Sequence, residues 1–495
     1  MTLALYAFVT VSMLELGLYV PAIWRWRRFC VPVLIFLIAV VHGLVLSVLP
    51  PSVAAAILLI GIYRFVNLSR IPVQRLEPHF LKQSTQRTAA WLILSQFAVL
   101  WAWQVTDYLP IISQESVLIV AVLQLLAAAG LLFTTWEQLR KSKIPAATAL
   151  LADRDLPTVS VCIPARDETA DLNDCLNMLV ASNYPKLEIL VLDDLSHDNT
   201  PDIIKGFAHA GVRFVKGTEP PNGWLAKNWA YQQLFEQANG ELILFCGVDV
   251  RQQPPTLRLL VQHLLTERKQ MLCVTPVNKL SLTPKWKSKL IQPVRYAWEI
   301  SLPRYRFRRP PVLSTYWLVQ RKLLEKAGSF AAVHQMVTPE SYFARQAAKT
   351  HDYRFICADA TLELTSEKSW QEQWQTSVRT RYPQLHRRAE LVLLVSLLQL
   401  MGIAMPPVLL LMAALTGAWL IALLSAATVF LHGLLYGILL RVTYSQKWRW
   451  SASFWPAALL DIYIRNYSLF AYEFGHVNWR GRDITFLSLH SKAER

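Results

Sequence analysis

Hydrophobic positions are distributed along this chain in three different ways. Residues 2–24, 29–49, 52–66, 89–106 and 111–134 form long, nearly uninterrupted apolar runs. About 20 apolar residues suffice to cross a bilayer as a helix, so the runs predict a front membrane unit of about five helices over 1–145. The run 52–66 is the shortest, and Pro50–Pro51 would break a longer helix there. Two further runs, 391–412 and 416–440, predict a helical hairpin within a second membrane unit over 389–495. The segment 453–473 is apolar and aromatic but carries Asp461 and Arg465, which predicts a helix lying in the membrane interface, with an eighth span as the alternative.

Between these units, over 153–388, the apolar runs shorten and alternate with helical patterns. Val159–Ile163, Val212–Val215 and Glu241–Cys246 read as short strands, and the nearly continuous Leu187–Leu192 as a parallel strand buried on both faces. Leu172, Cys175, Leu176, Leu179 and Val180 form one helical stripe between the first two. Thr200–Pro201 opens the next helix, and Lys227–Ala238 is the third. Strand and helix in alternation predict an α/β unit with a doubly wound, mostly parallel sheet.

Composition fits this division. Of 495 residues, 53% are hydrophobic and only 17% charged, which excludes a disordered chain or a coiled coil. The net charge of +16 would suggest nucleic acid on a soluble domain. On an apolar chain it reflects basic cytoplasmic loops and anionic lipid heads. Arg25, Arg27 and Arg28 follow the first run, Arg64, Arg70, Arg75, Lys82 and Arg87 lie between the third and fourth, and Arg140, Lys141 and Lys143 follow the fifth. With the N-terminus outside, every basic loop is cytoplasmic and so is the middle unit. Met1–Thr10 lacks the positive start of a secretory signal. The expectation is a multi-pass protein of a bacterial cytoplasmic membrane. The six cysteines contain no C-x-x-C pair, which predicts buried thiols rather than disulfides or zinc. No run shows the paired buried charges of a proton relay, so a transporter is disfavoured.

In an open α/β sheet, ligands bind beyond the carboxyl ends of the strands. The unusual polar residues sit there: Ile-Pro-Ala-Arg-Asp-Glu (163–168), Asp-Asp-Leu-Ser-His-Asp-Asn-Thr (193–200), the loop Gly217–Lys227, and Gly247-Val248-Asp249. The motifs VSVCIPARDE and LEILVLDDLSHDNT resemble those of the family-2 glycosyltransferases, whose nucleotide-sugar-binding fold is called GT-A. The resemblance covers about 157–390. Within that family, GWLAKNWA (223–230), RTRYPQL (379–385) and the late Asn478-Trp479-Arg480-Gly481-Arg482 resemble membrane-bound hopanoid-associated and carotenoid glycosyltransferases.

The resemblance implies roles by position. Pro164, Ala165 and Glu168 would line the base and ribose, and Asp193 and Asp194 would meet the nucleotide. A carboxylate can accept from a uracil imide N–H, which favours a UDP-sugar. Asp also caps helices in such turns, so both roles stand for Asp193 and Asp194. Lys227 would neutralise the diphosphate. The family's D-x-D turn, which holds Mn²⁺ or Mg²⁺ against the diphosphate, reads Gly247-Val248-Asp249 here. One carboxylate is left as metal ligand, and a divalent metal held by Asp249 and phosphates is expected, with protein cations in its place as the alternative. In Pro-Glu-Ser-Tyr-Phe-Ala-Arg (339–345), Glu340 takes the place of the family's catalytic Asp as general base. A one-residue shift of register would put Ser341 there. Arg379 and Arg381 replace the family's Q-x-x-R-W and would stabilise the leaving diphosphate, with Val378 where Gln would stand. The arginines of 304–309 read as lipid-facing.

These readings converge on a membrane-bound inverting glycosyltransferase moving one sugar from a nucleotide sugar to a lipid acceptor. A processive polysaccharide synthase and a catalytically inactive partner subunit are the alternatives. Nucleic acid is not an expected partner.

Overall fold

The computed structural model describes residues 2–73, 78–106, 114–144, 151–279, 285–302, 309–313, 315–359, 361–445 and 450–484. Its centre is a seven-stranded mixed sheet. Strands β1 (Val159–Ala165), β2 (Leu187–Asp193), β3 (Val212–Lys216) and β4 (Leu242–Cys246) are followed by the two-residue β5 (Val250–Arg251). Next come β6 (Met271–Thr275), β7 (Val277–Lys279), β8 (Tyr316–Gln320), β9 (Tyr353–Cys357) and β10 (Thr365–Glu367). The order is β3-β2-β1-β4-β8-β6-β9. All neighbours are parallel except β8, which runs antiparallel to both β4 and β6. The sheet is therefore mostly parallel, with its helices on both faces.

Strands β1, β2 and β4 are apolar along most of their length because each is covered on both faces, whereas the edge strand β3 exposes Arg213 and Lys216. Val161, Cys162, Leu190, Val191 and Leu244 are fully buried. The chain winds outward from β1 through β2 to β3, then returns to place β4 on the other side of β1. That reversal opens a crevice at the carboxyl ends of β1 and β4, where ligands of such sheets bind. A second small sheet, β5-β10-β7, closes over this end. Ser366 of β10 pairs with Val250 of β5.

The flanking helices are Thr2–Gly17, Pro21–Trp24, Arg27–Leu46, Pro51–Val73, Pro78–Thr106 and Gln114–Lys141 in front, and Ala389–Gln399, Met405–Leu415, Trp419–Tyr444 and Phe454–Phe474 behind. Among the described residues, five helical stretches are long and apolar enough to span a membrane: 27–46, 51–73, 114–141, 389–415 and 419–444. The first apolar run breaks at Pro21, and the weak third run becomes a 23-residue helix because Pro51 starts it rather than interrupting it. Helix Phe454–Phe474 turns Asp461 and Arg465 inward, while Leu459, Tyr463, Tyr467, Phe470 and Phe474 form an exposed stripe.

Two basic residues are not loop charges as the sequence suggested. Arg64 and Arg70 lie on the buried face of helix Pro51–Val73. Arg64 pairs with Glu15 at 2.5 Å and bonds Gln96 at 2.6 Å. Arg70 pairs with Glu473 at 2.9 Å, tying the front helices to the last one. The expectation that no apolar run carries paired buried charges is thus corrected: Glu15 and Arg64 are such a pair, both fully buried. Removing one partner leaves the other charged and alone, at a cost of about 3–5 kcal/mol. Arg64→Ala is accordingly expected to lower the unfolding temperature in detergent sharply, and the double change Glu15→Gln, Arg64→Met to recover much of the loss. A thermal melt followed by tryptophan fluorescence (equal melting of wild type and Arg64→Ala would refute it) checks this.

Candidate active site

The turns after β1 and β2 are joined by backbone. Asp194 N–H donates to Ala165 O at 2.8 Å, and Glu168 N–H to Thr200 Oγ1 at 2.9 Å. Ala165 itself is buried in the core, while Pro164 and Glu168 are half-buried at the crevice. Asp193 spends Oδ1 on Ser196 N–H at 3.2 Å, the local turn role foreseen as one alternative. Asp167 and Leu195 hold positive φ of 50° and 59°, local strain of the kind that gathers at functional turns.

The carboxylates of Glu168 and Asp194 are met by a hairpin from the end of the chain. Strands β11 (Asn478–Trp479) and β12 (Arg482–Asp483) are antiparallel, joined through Arg480 and Gly481 at φ of 47° and 78°. Positive φ at both turn positions is the conformation that matches strand twist, and it calls for glycine at the second. Arg480 Nη2 reaches Glu168 Oε1 at 2.7 Å. Arg482 Nη1 reaches Asp194 Oδ1 and Oδ2 at 2.9 and 3.0 Å. Arg166 Nε donates to the Arg480 carbonyl at 2.9 Å, and the Arg379 guanidinium lies 5.6 Å from the Trp479 ring. Sequence resemblance picked out this element but gave it no role.

Burial pushes Glu168 up to about 7, with Arg480 opposing, and Asp194 up to about 6, with Arg482 and Arg166 opposing. As a carboxylate Asp194 accepts a base N–H more strongly than as the neutral acid, so nucleotide affinity should fall as pH drops through about 6. Arg482→Ala removes an opposing charge and raises that pKa further. The variant should lose affinity at a higher pH than wild type, and more at pH 6 than at pH 8, in titrations of UDP. An unshifted pH profile would separate Arg482 from Asp194.

The second half of the site gathers around Lys227. This residue stands at the start of helix Ala226–Gln237. Asn228 beside it donates to the carbonyls of Val333 and Met336, both at 2.8 Å, and so locks the helix start to the segment preceding Glu340. Burial draws the Lys227 ammonium down to about 8; Glu340 and Asp249 act to raise it, Arg379 and Lys368 to lower it. These five charges therefore share one field.

Glu340 lies in the first turn of helix Pro339–Lys349 and is 2% exposed. Its Oε2 makes no hydrogen bond. Burial raises its pKa, against the pull of Lys227 and Arg379. It lines a cavity of about 100 Å³ together with Trp298, Val312, Met336, Pro383 and His386. Ser341, the alternative in a shifted register, returns its hydroxyl to the Thr338 carbonyl at 2.7 Å.

Arg379 and Arg381 part company. Two residues apart on helix Trp370–Arg381, they point about 200° from each other. Arg379 joins the Lys227 group, where burial lowers its pKa and Tyr472, Glu340 and Tyr231 raise it. Arg381 is buried against Asp461 at 2.5 Å, facing helix Phe454–Phe474. Its expected place on the diphosphate is corrected: the carboxylate of Asp461 holds it in the seam with the rear helices.

Asp249 is not an open metal ligand. Its Oδ2 accepts from Ser366 Oγ at 2.6 Å and pairs with Lys368 Nζ at 3.2 Å. A Cβ on Gly247 would lie 2.7 Å from Asp249 Oδ1, so a side chain there would have to turn the Asp249 carboxylate from its present position. Among the described residues, no three His, Cys, Asp or Glu side chains converge on a metal-sized site. This donor set does not fit the expected divalent cation. Ser366 and Lys368 were not foreseen, because nothing in their local sequence marks them; Arg166 and Asn228 lie within the motifs VSVCIPARDE and GWLAKNWA but were given no role. Arg304, Arg306 and Arg308 lie outside the described residues; Arg309 hydrogen-bonds His386 at the cavity.

Comparison with known proteins places its matches on the middle unit. Residues 160–328 match the family described as Glycosyl transferase family 2. A Bacillus subtilis (strain 168) protein named Probable glycosyltransferase YdaM is 27% identical over 233 residues, 46% of this chain and 55% of its own. Glycosyltransferase AglE of Haloferax volcanii is 33% identical over 98 residues, 19% of this chain and 31% of its own. The chain thus spans about half of the first relative and a third of the second. Mannosyltransferase PcManGT from Pyrobaculum calidifontis, solved in complex with GDP-Man and Mn²⁺, is 18% identical, covering 70% of this chain and 99% of that one with a TM-score of 0.44. Residues 160–328 of the middle unit are thus similar to family-2 glycosyltransferase domains, which points to a transferase.

Proposed function

We propose that this chain is a membrane-bound inverting glycosyltransferase that moves a single sugar from a nucleotide sugar, with a UDP-sugar as the first choice, to the hydroxyl of a lipid at the cytoplasmic leaflet. The observation that carries the reading is Glu340: a buried carboxylate with one oxygen uncommitted, between the cations Lys227 and Arg379 and a cavity able to admit a hydroxyl. In the transfer, the acceptor oxygen forms a bond to the anomeric carbon from the face opposite the leaving group. The bond from that carbon to the β-phosphate oxygen breaks, and its electron pair leaves with the nucleoside diphosphate. Glu340 receives the hydroxyl proton. Lys227 and Arg379 stabilise the charge on the diphosphate.

The surroundings support a lipid acceptor. Trp298 of the cavity lies under Arg465 of helix Phe454–Phe474, 5.0 Å from ring to guanidinium. On the same helix, Leu469 and Phe470 face Leu59, Val66, Leu393 and Leu397 across an apolar groove of about 280 Å³. The groove offers a berth for a hydrocarbon chain whose hydroxyl end would lie toward Glu340. The likeness of GWLAKNWA and of the late hairpin to hopanoid-associated and carotenoid glycosyltransferases points the same way. The test incubates the purified chain with radiolabelled UDP- and GDP-sugars and a membrane lipid extract. Label in the organic phase supports the proposal. Label only in long water-soluble polymer supports a processive synthase, and no transfer from any donor supports an inactive partner.

A further inference from the structure

The mismatch between Asp249 and a divalent cation has a positive counterpart. We propose that Lys368, seated on Asp249, supplies the positive charge that a metal would supply at the Gly247-Val248-Asp249 turn, so that nucleotide diphosphate binding needs no divalent cation. The inference rests on the proposed donor site and adds how that site balances charge.

Four observations carry it. First, Lys368 Nζ is 3.2 Å from Asp249 Oδ2, and Ser366 Oγ takes a second position on the same oxygen at 2.6 Å. A divalent ion on that oxygen would have to displace both groups and bear the repulsion of an ammonium beside it. Second, the Lys368 segment is fixed by backbone. Strand β10 pairs antiparallel with β5, and Glu367 N–H donates to the Asp249 carbonyl at 3.2 Å. The lysine side chain is only 15% exposed. Third, Gly247 replaces the carboxylate that would complete a metal pair, and its Cβ position is taken up by Asp249 Oδ1 at 2.7 Å. Fourth, Lys368 and Arg379 both act electrostatically on the Lys227 ammonium, so the three cations share one field. Loss of one carboxylate and gain of one ammonium both shift the turn toward binding an anion directly, without an intervening ion.

The test titrates UDP into the full chain in lipid nanodiscs by calorimetry, once with EDTA and once with Mn²⁺, and follows Mn²⁺ alone by the loss of its free electron-spin signal. Wild type should bind UDP equally in both buffers and leave Mn²⁺ free. Lys368→Ala should weaken binding about 10- to 100-fold in EDTA, the loss expected for one charge-assisted contact. Mn²⁺ should restore part of it, because Asp249 then keeps only the neutral Ser366 hydroxyl and no ammonium repels the ion. Lys368→Arg, which keeps the charge, should hold wild-type independence of metal. Binding by wild type only with Mn²⁺ would overturn the inference while leaving the donor site intact, and so would EDTA-resistant binding unchanged in a folded Lys368→Ala. Absence of UDP and GDP binding in every condition would overturn the donor site itself, and this inference with it.

Discussion

Glu340→Gln is expected to slow sugar transfer by about 10²- to 10⁴-fold while nucleotide binding stays intact. That is about 3–5 kcal/mol of barrier. The amide keeps the shape and burial of the side chain but cannot take the acceptor proton. The pH profile gives a second readout. Burial raises the Glu340 pKa above the ordinary carboxylate value. A base works only when deprotonated, so the rate should climb with pH through that raised pKa, giving an acid limb displaced upward. Glu340→Gln should lose the limb as well as the rate. Glu340→Asp, one methylene shorter, should keep the limb at a reduced rate. Steady-state transfer from a nucleotide sugar across pH, with UDP titrations as the control for folding, measures both. A variant that loses UDP binding in parallel with transfer would make Glu340 a structural residue.

Lys227→Met is expected to weaken UDP binding about 10- to 100-fold. It should also abolish a pH dependence that wild type shows. The free Lys227 ammonium titrates near about 8 because it is buried. A bound diphosphate favours the ammonium. Below that pH the group is already charged and adds no pH dependence of its own, leaving only the fall near 6 that Asp194 sets. Above it, binding must take up a proton, and log affinity falls by about one per pH unit. The terminal phosphate of UDP is fully ionised across this range, its second pKa being about 6. Lys227→Met, having no proton to take up, should bind weakly and show no fall above about pH 8. Proton uptake measured by calorimetry in buffers of different ionisation enthalpy checks the sign directly. A wild-type affinity independent of pH up to about 9 would remove Lys227 from the diphosphate.

These effects depend on features that differed in how far the sequence disclosed them. The strands were legible because a strand segment buried on both faces must be apolar, as 189–192 is. The turns were legible because Asp, Gly and Pro at strand ends serve backbone and ligand together. Charge partners were not. Ser366 lies 117 residues from Asp249 and arrives only through the pairing of β10 with β5. Arg64 looked like a loop charge because Glu15, its partner, stands in an otherwise apolar helix 49 residues earlier. Arg381 is a case where the pattern held the answer: two residues apart on a helix, it and Arg379 cannot both face one ligand. The hairpin arginines were marked by resemblance alone, since a hairpin at the far end of the chain has no local reason to cover Glu168 and Asp194.

The most direct test of the central claim is the intact mass of the lipid product formed by wild type and by Glu340→Gln from the same nucleotide sugar. The account predicts an acceptor lipid heavier by one sugar residue with wild type, and no such species above background with Glu340→Gln. A ladder of masses carrying many sugars, or equal amounts of product from the two proteins, would contradict it.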